Sequence, residues 1–321
     1  MLQKIKAMCK FALKGAYILD VSKDKKFSNQ RLFGELIRNV HSIEKGLSLR
    51  HVRSGFGYEK ISEAYGYAMT LSNANNPKYN EAIEMFISSL NSYLLYHESI
   101  AYCDDKISEI KKFHDSLVKK LSISNELELE GLGGFQTVLS KKYSEEDYEI
   151  IESLFVNRHS VREFNGEPVD MNDLFKAIKL AHHCPSACNR QGYRVHIVTK
   201  DNFAVFNKWF EGVGGFADEL DKVILITGSL STYRFGETMQ YIVSSSVYAA
   251  YLTLALESLG IGCCFIQRTL VITDEWERVR NDLHIPEDEQ IVCALGIGNL
   301  MEEYKVPVSH RLSLDTIVSV H

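Results

Sequence analysis

The chain has 321 residues, of which 45% are hydrophobic and 24% are charged. This composition is typical of a packed globular protein with one large domain or two smaller ones, and it excludes a chain that is mainly disordered. The formal net charge of -6 provides no basic field for a polyanion, so we expect no nucleic-acid partner. Small-molecule chemistry is the favoured class of function.

The cysteine pattern argues against a disulfide framework. The chain has seven cysteines, an odd number, and they are scattered along its length. Cys184 and Cys188 are four residues apart and Cys263 and Cys264 are adjacent, and neither spacing is that of a usual zinc site. We therefore expect no metal and a reducing, cytoplasmic location.

The first 20 residues are mildly apolar, but lysines at positions 4, 6, 10 and 14 interrupt them. No run approaches the ~20 apolar residues that a membrane span needs, and no small-residue cleavage site follows an apolar stretch. The spacing predicts an amphipathic helix. We favour its packing on the rest of the protein over binding to a membrane surface.

Residues 29–121 have apolar side chains at intervals of three and four residues, which predicts several packed helices. Clusters rich in glycine, asparagine or proline interrupt this pattern at residues 55–57, 73–77 and 131–134. Residues 41–47 mix charges and a glycine within a helical run, which indicates either a docking segment or a helix end at Gly46. We place a boundary after residue 134 and leave the role of the helical region 1–134 open.

Residues 135–321 have a different texture. Short β-branched runs at residues 193–198, 223–227 and 291–295 predict strands between longer helical stretches. Residues 236–259 form the longest helix candidate, and the scarcity of charge in its second half predicts burial in a core or a subunit interface. Alternating helices and strands predict a sheet covered by helices.

Four features of this second part occur in a distinctive order. Residues 158–162 read Arg-His-Ser-Val-Arg, and residues 185–191 read Pro-Ser-Ala-Cys-Asn-Arg-Gln. The apolar helix then leads into residues 260–267, a strand ends at residues 294–298, and residues 311–318 close the chain. From about residue 147 onward, the chain resembles the FMN-dependent nitroreductase family.

The resemblance implies a fold and a partner. The fold is α+β, a three-layer α/β/α sandwich with a mixed, mainly antiparallel sheet, here preceded by the all-helical N-terminal region. In this family FMN lies at the interface of a homodimer, with parts from both chains. Residues 135–321 are accordingly the expected FMN-binding domain, and the helix at residues 236–259 is consistent with a dimer interface.

The chemistry of FMN explains why these residue types are suitable. Its phosphate carries nearly two negative charges, and its ring gains electron density on reduction. Arg158, Ser160 and Arg311 are expected to hold the phosphate and ribityl oxygens, because guanidinium groups match phosphate in a bidentate manner. Arg162 is expected to face the N1 and C2 carbonyl edge, where a positive charge stabilises the reduced ring.

The remaining candidate residues surround the flavin ring. Asn189 can both donate and accept at the pyrimidine edge, and Gln191 is expected to orient the turn. The resemblance places the backbone of Ile266 and Gln267 opposite N5 and the C4 carbonyl. The other expected cofactor-binding positions are the backbone at His159 and the turn formed by Pro185, Ser186 and Ala187.

Two positions depart from the family pattern. Ser309 stands where relatives often have a second phosphate-binding lysine, and Gln267 stands where some relatives have an acidic residue beside N5. The first lowers the expected affinity for phosphate unless another cation substitutes. The second prevents a direct transfer of substrate specificity.

These features predict an FMN-dependent oxidoreductase with a ping-pong mechanism. NAD(P)H would give a hydride to flavin N5 and leave, and a small acceptor such as a nitro compound, quinone, enone or halogenated phenol would then be reduced. No catalytic side chain is named, because the cofactor carries the difficult step. One alternative is a flavin-binding component of a pathway complex with little turnover, docked through the N-terminal helices. A less favoured one is an enzyme that cleaves the flavin itself.

Overall fold

The computed structural model describes residues 2–203, 213–237, 239–266 and 274–321. The first part of the chain is helical, as predicted, and the three predicted breaks lie between its long helices or after them, apart from Pro77, which is the first residue of a helix. The long helices are α1 (Leu2–Lys23), α2 (Ser28–Leu47), α3 (Tyr58–Leu71), α4 (Pro77–Ser99) and α5 (Asp105–Lys120). No helix among the described residues combines the length and the apolar character needed to cross a membrane.

Local sequence signals set where these helices begin. The side chain of Asn76 accepts the backbone N–H of Lys78, and Pro77 occupies the first turn of α4, where a missing N–H costs nothing. Asp104 caps α5 in the same way by accepting from Ile107. Each cap satisfies an N–H group that has no partner within its helix.

The helices α2 to α5 enclose a hydrophobic core of their own. Leu36 of α2 and Phe86 of α4 are completely buried in it, as are Ile61 of α3 and Leu117 of α5. These positions follow the three- and four-residue spacing seen in the sequence, so the periodicity correctly identified the inward faces. Such a core gives the N-terminal helices a hydrophobic cluster separate from those around the sheet.

The glycine at position 46 does not end its helix. Helix α2 continues to Leu47, and Ser48 is the capping residue. A Cβ atom at Gly46 would lie only 2.1 Å from the ring of Phe56, so the glycine provides room for that ring. The C-cap expected at Gly46 was therefore wrong by two residues. The glycine is required for close packing and not for reversal of the chain.

The second part of the chain is built on a four-stranded sheet in the order β1-β2-β4-β3. Its strands are β1 (Tyr193–Thr199), β2 (Lys222–Ser229), β3 (Ile261–Ile266) and β4 (Glu289–Asn299), and every pair is antiparallel. One isolated parallel bridge joins Ser160 to Cys263 at the edge of β3. The sheet is therefore mixed and mainly antiparallel, as predicted.

Both faces of the sheet are covered. Helices α7 (Met171–Ala181) and α8 (Gln240–Glu257) pack on one face, and the other face is covered by a cluster that includes Trp276 and Val279 of α9 (Asp274–Asp282). The predicted three-layer sandwich is confirmed. The α-helices of the described residues also include α6 (Glu145–Asn157), which has no buried residue, and α10 (Leu314–Ile317).

The N-terminal helices rest on the sheet-containing part through α2. Gln30 Nε2 donates to Thr232 Oγ1 at 3.0 Å, and the side chain of Arg234 pairs with Glu35. A Cβ atom at Gly34 would lie 2.4 Å from the carbonyl oxygen of Thr232. Helix and loop backbones can therefore approach closely only because residue 34 lacks a side chain.

Replacing Gly34 with alanine is expected to lower the free energy of unfolding by about 1–3 kcal/mol, because the added methyl group would overlap a backbone atom that cannot rotate away. Gly66 in α3 offers a matched control, since a Cβ atom there meets nothing within 4 Å. Gly66→Ala should be neutral or stabilising by up to about 1 kcal/mol, through helix propensity alone. Urea denaturation measures both, and equal effects of the two substitutions would contradict the close approach.

Candidate functional site

Residues 158–162, which we term the cationic segment, follow the outer edge of β3. Arg158 caps the C-terminus of α6. The backbone N–H of Val161 donates to the carbonyl oxygen of Cys263 at 3.0 Å, and Ser160 forms the parallel bridge to the same strand. Strand β3 ends at Ile266, another predicted flavin-binding residue. The cationic segment therefore runs beside the strand that carries this residue.

Neither arginine of the cationic segment forms an ion pair among the described residues. Arg162 Nη1 donates to the carbonyl oxygen of Ser160 at 3.2 Å, and its guanidinium carbon lies 5.8 Å from the ring centre of Phe216. Arg158 has no ion pair within 4.0 Å among the residues described by the structure. Positive charge is therefore available at this edge for an anion.

The buried thiol next to these arginines is not a candidate nucleophile. Cys263 is buried under the cationic segment, and burial raises the pKa of its thiol to about 12 although Arg158 acts in the opposite direction. A thiol with such a pKa stays protonated at neutral pH, and only the thiolate is strongly nucleophilic. The cationic segment thus offers binding rather than covalent chemistry.

Residues 185–191, which we term the amide turn, form a tightly tied loop between α7 and β1. Cys188, Asn189 and Gln191 all have φ near +50°, a backbone conformation that is uncommon outside glycine. The hydroxyl oxygen of Ser186 accepts the backbone N–H of Gln191 at 3.0 Å. The side chain of Gln191 donates to the carbonyl oxygen and to Oδ1 of Asn189, so it ties two residues of the turn together.

A buried ion pair, which no sequence pattern indicated, anchors the amide turn. Arg190 is only 1% exposed, and its guanidinium donates to both carboxylate oxygens of Glu237 at 2.7 and 3.0 Å. It also donates to the carbonyl oxygen of Ala187 and lies 4.6 Å from the ring centre of Tyr233. The hydrogen bond from Arg190 lowers the pKa of Glu237. Only the docking of the loop at residues 230–237 brings these groups together.

The cationic segment and the amide turn lie at opposite corners of the sheet. Strand β1 begins at Tyr193, whose register continues through Gly228 to Gln290 of β4, whereas Cys263 pairs with Ile297 of β4. Seven residues along β4 and three strand spacings across the sheet separate these points by about 25 Å. One copy of the chain therefore does not bring the two predicted halves of the site together.

The C-terminal residue of the predicted set lies in an exposed segment. Arg311 is exposed, and its Nη1 donates to the carbonyl oxygen of Ser309 at 2.9 Å. Apolar side chains nearby are also strongly exposed, among them Val308 at 92% and Ile317 at 68%. Among the described residues, no hydrogen bond or ion pair joins Arg311 to the cationic segment. Gln267 lies outside the described residues.

Comparison with known proteins assigns the second part of the chain to a family. Residues 156–227 and 223–299 match the model of the nitroreductase family. Residues 156–299 accordingly match a nitroreductase-family domain. The match contains both the cationic segment and the amide turn, and it ends before Arg311. Among curated proteins, none matches the chain.

Several solved structures are similar to this nitroreductase-family domain. They include an FMN-dependent nitroreductase from Clostridium difficile with 23% identity and a TM-score of 0.45, which aligns over 53% of this chain and 97% of its own. A Desulfovibrio desulfuricans protein in complex with FMN has 15% identity over 53% of this chain and 96% of its own, with a TM-score of 0.47. An enone reductase of gut-bacterial fatty acid saturation has 18% identity over 52% and 96%, with a TM-score of 0.45.

The donors of the predicted site fit FMN chemically. Arg162 and Arg311 each donate to a backbone carbonyl group, so their remaining N–H groups can meet a phosphate. In the amide turn, the side chain of Gln191 donates to the amide oxygen of Asn189. The NH2 group of Asn189 can then donate to a carbonyl of the ring. Both halves of the site thus provide the donors that this cofactor needs.

Proposed function

We propose that this protein is an FMN-dependent oxidoreductase that takes electrons from NAD(P)H and reduces a small organic acceptor in a ping-pong cycle. The observation that carries the proposal is the pairing of two arginines beside β3, neither of them in an ion pair among the described residues, with a conformationally strained amide turn, inside a nitroreductase-family domain. When bound, FMN would supply the hydride chemistry at N5. The side chains of the protein bind and orient, and none acts as a nucleophile.

Each residue has a defined task in this proposal. Arg158, Ser160 and Arg311 would hold the phosphate and ribityl oxygens, and Arg162 would place a positive charge at the N1 edge. The backbone at His159 and Ile266 would line the ring. The turn Pro185, Ser186 and Ala187, with Asn189 and Gln191, would close the opposite side of the cofactor.

The separation of the two halves supports a homodimer with FMN at its interface. Because about 25 Å divides the cationic segment from the amide turn within one chain, each complete site would combine one half from each copy. The surface is suited to such an interface. Exposed apolar side chains cover α6, the outer side of α8 and the C-terminal segment, including Ile150, Phe155, Val243 and Tyr251. We also place a domain boundary after residue 134, because the hydrophobic core of the N-terminal helices contains Leu129 and no later residue among those described.

The absorption spectrum of the purified protein tests the function directly. We expect a flavin band at about 450 nm that is supplied by the cofactor itself, and rapid bleaching of this band on addition of NADH or NADPH. Reoxidation by a quinone or a nitroaromatic compound completes the cycle. A coloured protein that neither donor bleaches would favour a flavin-binding component or reduction by a protein partner.

Mixing two inactive variants tests the shared site. Neither Arg158→Gln nor Asn189→Ala homodimers contain an intact site, but each mixed dimer contains one. Random reassociation of equal amounts should restore about a quarter of the intact sites of the wild-type protein. Donor-dependent flavin bleaching measures the recovery. No recovery after mixing, with dimers confirmed by light scattering, would show that both halves serve the same chain.

A further inference from the structure

A cleft of about 210 Å³ lies where the N-terminal helices meet the amide turn. Helices α2 and α4 form one wall with apolar side chains. The opposite wall is formed by the end of the amide turn and the beginning of β1. The side chains used below are Phe33, Ile37, Lys78, Met85, Gln191 and Arg194. The cleft therefore exists only because the helical region rests on the sheet-containing part.

Two cations line this cleft without a carboxylate partner among the described residues. Lys78 Nζ donates to Gln30 Oε1 at 2.8 Å and lies 4.7 Å from the ring centre of Phe33. Arg194 Nη1 donates to the carbonyl oxygens of Gln191 and Tyr193 at 2.8 and 2.7 Å. Neither cation therefore has an ion-pair partner among the described residues, unlike Arg190, which is neutralised by Glu237.

The electrostatic environment of Lys78 favours the binding of an anion beside it. Burial, reinforced by repulsion from Arg194, lowers the pKa of Lys78 to about 8, against a weaker attraction from Asp288 and Glu289. Those two carboxylates are already engaged. Asp288 accepts from two serine hydroxyl groups, and Glu289 accepts from Thr227 and contacts His196. An anion between the two cations would relieve their repulsion.

We propose that this cleft binds a small carboxylate- or phosphate-bearing molecule, with the anionic group between Lys78 and Arg194 and its apolar part against Phe33, Ile37 and Met85. The volume is below the range of about 300–1,000 Å³ that is typical of drug-sized ligands, so the ligand is small. Glu81 and His182 also line the cleft and provide a polar rim. The proposal goes beyond the proposed flavin chemistry, because Gln191 is the one residue of this cleft that also belongs to the set assigned to FMN.

The bound anion would act on the amide turn. Arg194 donates to the carbonyl oxygen of Gln191, and the side chain of Gln191 holds both oxygens of Asn189. A ligand that draws the guanidinium of Arg194 toward the cleft would therefore change the support of Asn189. This coupling rests on the proposed function, whereas the binding itself does not.

Chemical labelling of the full-length wild-type chain tests the site. Acetic anhydride at pH 8 should acetylate Lys78 readily, because a lowered pKa leaves a substantial fraction of its amine unprotonated. Sodium phosphate or sodium succinate should slow this acetylation by about threefold or more, compared with sodium chloride at equal ionic strength. This effect is expected at concentrations well above the dissociation constant, where the anion occupies most of the sites. Exposed Lys176 should be unaffected. Peptide mass spectrometry measures both lysines.

Variants then assign the binding to these two cations. Lys78→Met and Arg194→Gln should each weaken phosphate or succinate binding, measured by calorimetry, by about tenfold or more, the loss expected for one charge-assisted hydrogen bond. Lys176→Met and Arg50→Gln, which remove exposed cations outside both sites, should bind as the wild-type protein does. Circular dichroism checks the fold of each variant, and the labelling experiment requires no variant.

The opposite results would overturn the proposal. They are equal labelling of Lys78 in all three salts, or binding that is lost only in Arg158→Gln, which would place the anion at the cationic segment. Performing the calorimetry with and without saturating FMN separates the two ideas. A chain that binds phosphate at Lys78 but refuses FMN would refute the proposed function and leave this site intact.

Discussion

Arg158→Gln lowers the affinity for FMN by about tenfold to hundredfold, the loss expected when one charge-assisted hydrogen bond to a phosphate is removed. The backbone of the cationic segment is held by Val161 and Ser160 against β3, so the substitution should leave the fold intact. Fluorescence titration of the apoprotein with FMN measures the change. Removal of one guanidinium should therefore affect the cofactor far more than the stability.

Two further variants make this test specific. Arg158→Lys keeps the charge but loses the bidentate geometry, so its affinity for FMN should lie between those of the wild-type protein and Arg158→Gln. Arg50→Gln removes an exposed arginine of the helical region and should leave the affinity unchanged. If Arg158→Gln and Arg50→Gln bind FMN equally well, the cationic segment is not the phosphate site.

Glu237→Gln destabilises the protein by about 2–3 kcal/mol at neutral pH, because it leaves the buried guanidinium of Arg190 without a counter-charge. The estimate lies below the usual cost of breaking a buried pair, since the carboxylate itself is partly exposed. The substitution also loosens the carbonyl of Ala187, to which Arg190 donates. Urea denaturation should show the loss of stability, and the FMN titration should show weaker binding.

The pH dependence of this difference follows from the lowered pKa of Glu237. A carboxyl group with a lowered pKa in the folded state stabilises the protein above its ordinary value of 4.5, and this stabilisation is lost as the pH falls through the lowered pKa. The difference between the wild-type protein and Glu237→Gln should thus be largest near pH 7 and shrink below about pH 4.5. Exposed Glu98 provides the control, and a Glu98→Gln variant as unstable as Glu237→Gln would contradict the role of the pair.

The sequence predicted the elements of this fold well where burial repeats at a regular interval. Apolar spacing located the helices before residue 121, and three β-branched runs located β1, β2 and β4. The end of α2 was misplaced because the need for a glycine at position 46 comes from the ring of Phe56, which folds back from the segment between α2 and α3. Pattern analysis detects local preference and does not detect such contacts.

The candidate site shows the same division. The spacing of Arg158, Ser160 and Arg162 puts their backbone on one edge, and the strained turn at Asn189 and Gln191 follows from local sequence. Neither motif indicates that its partner lies about 25 Å away in the same chain. That distance follows from the order of the four strands.

The amino-acid sequence by itself determined which segments become helices and strands, and it supplied the arginines and the amide on which flavin binding depends, because these properties reside in a residue and its near neighbours. Only the tertiary structure decided that Arg190 is neutralised by Glu237 and that Lys78 meets Arg194. Contacts between distant segments depend on how whole elements dock, and docking is selected by total packing and charge compensation rather than by any local motif.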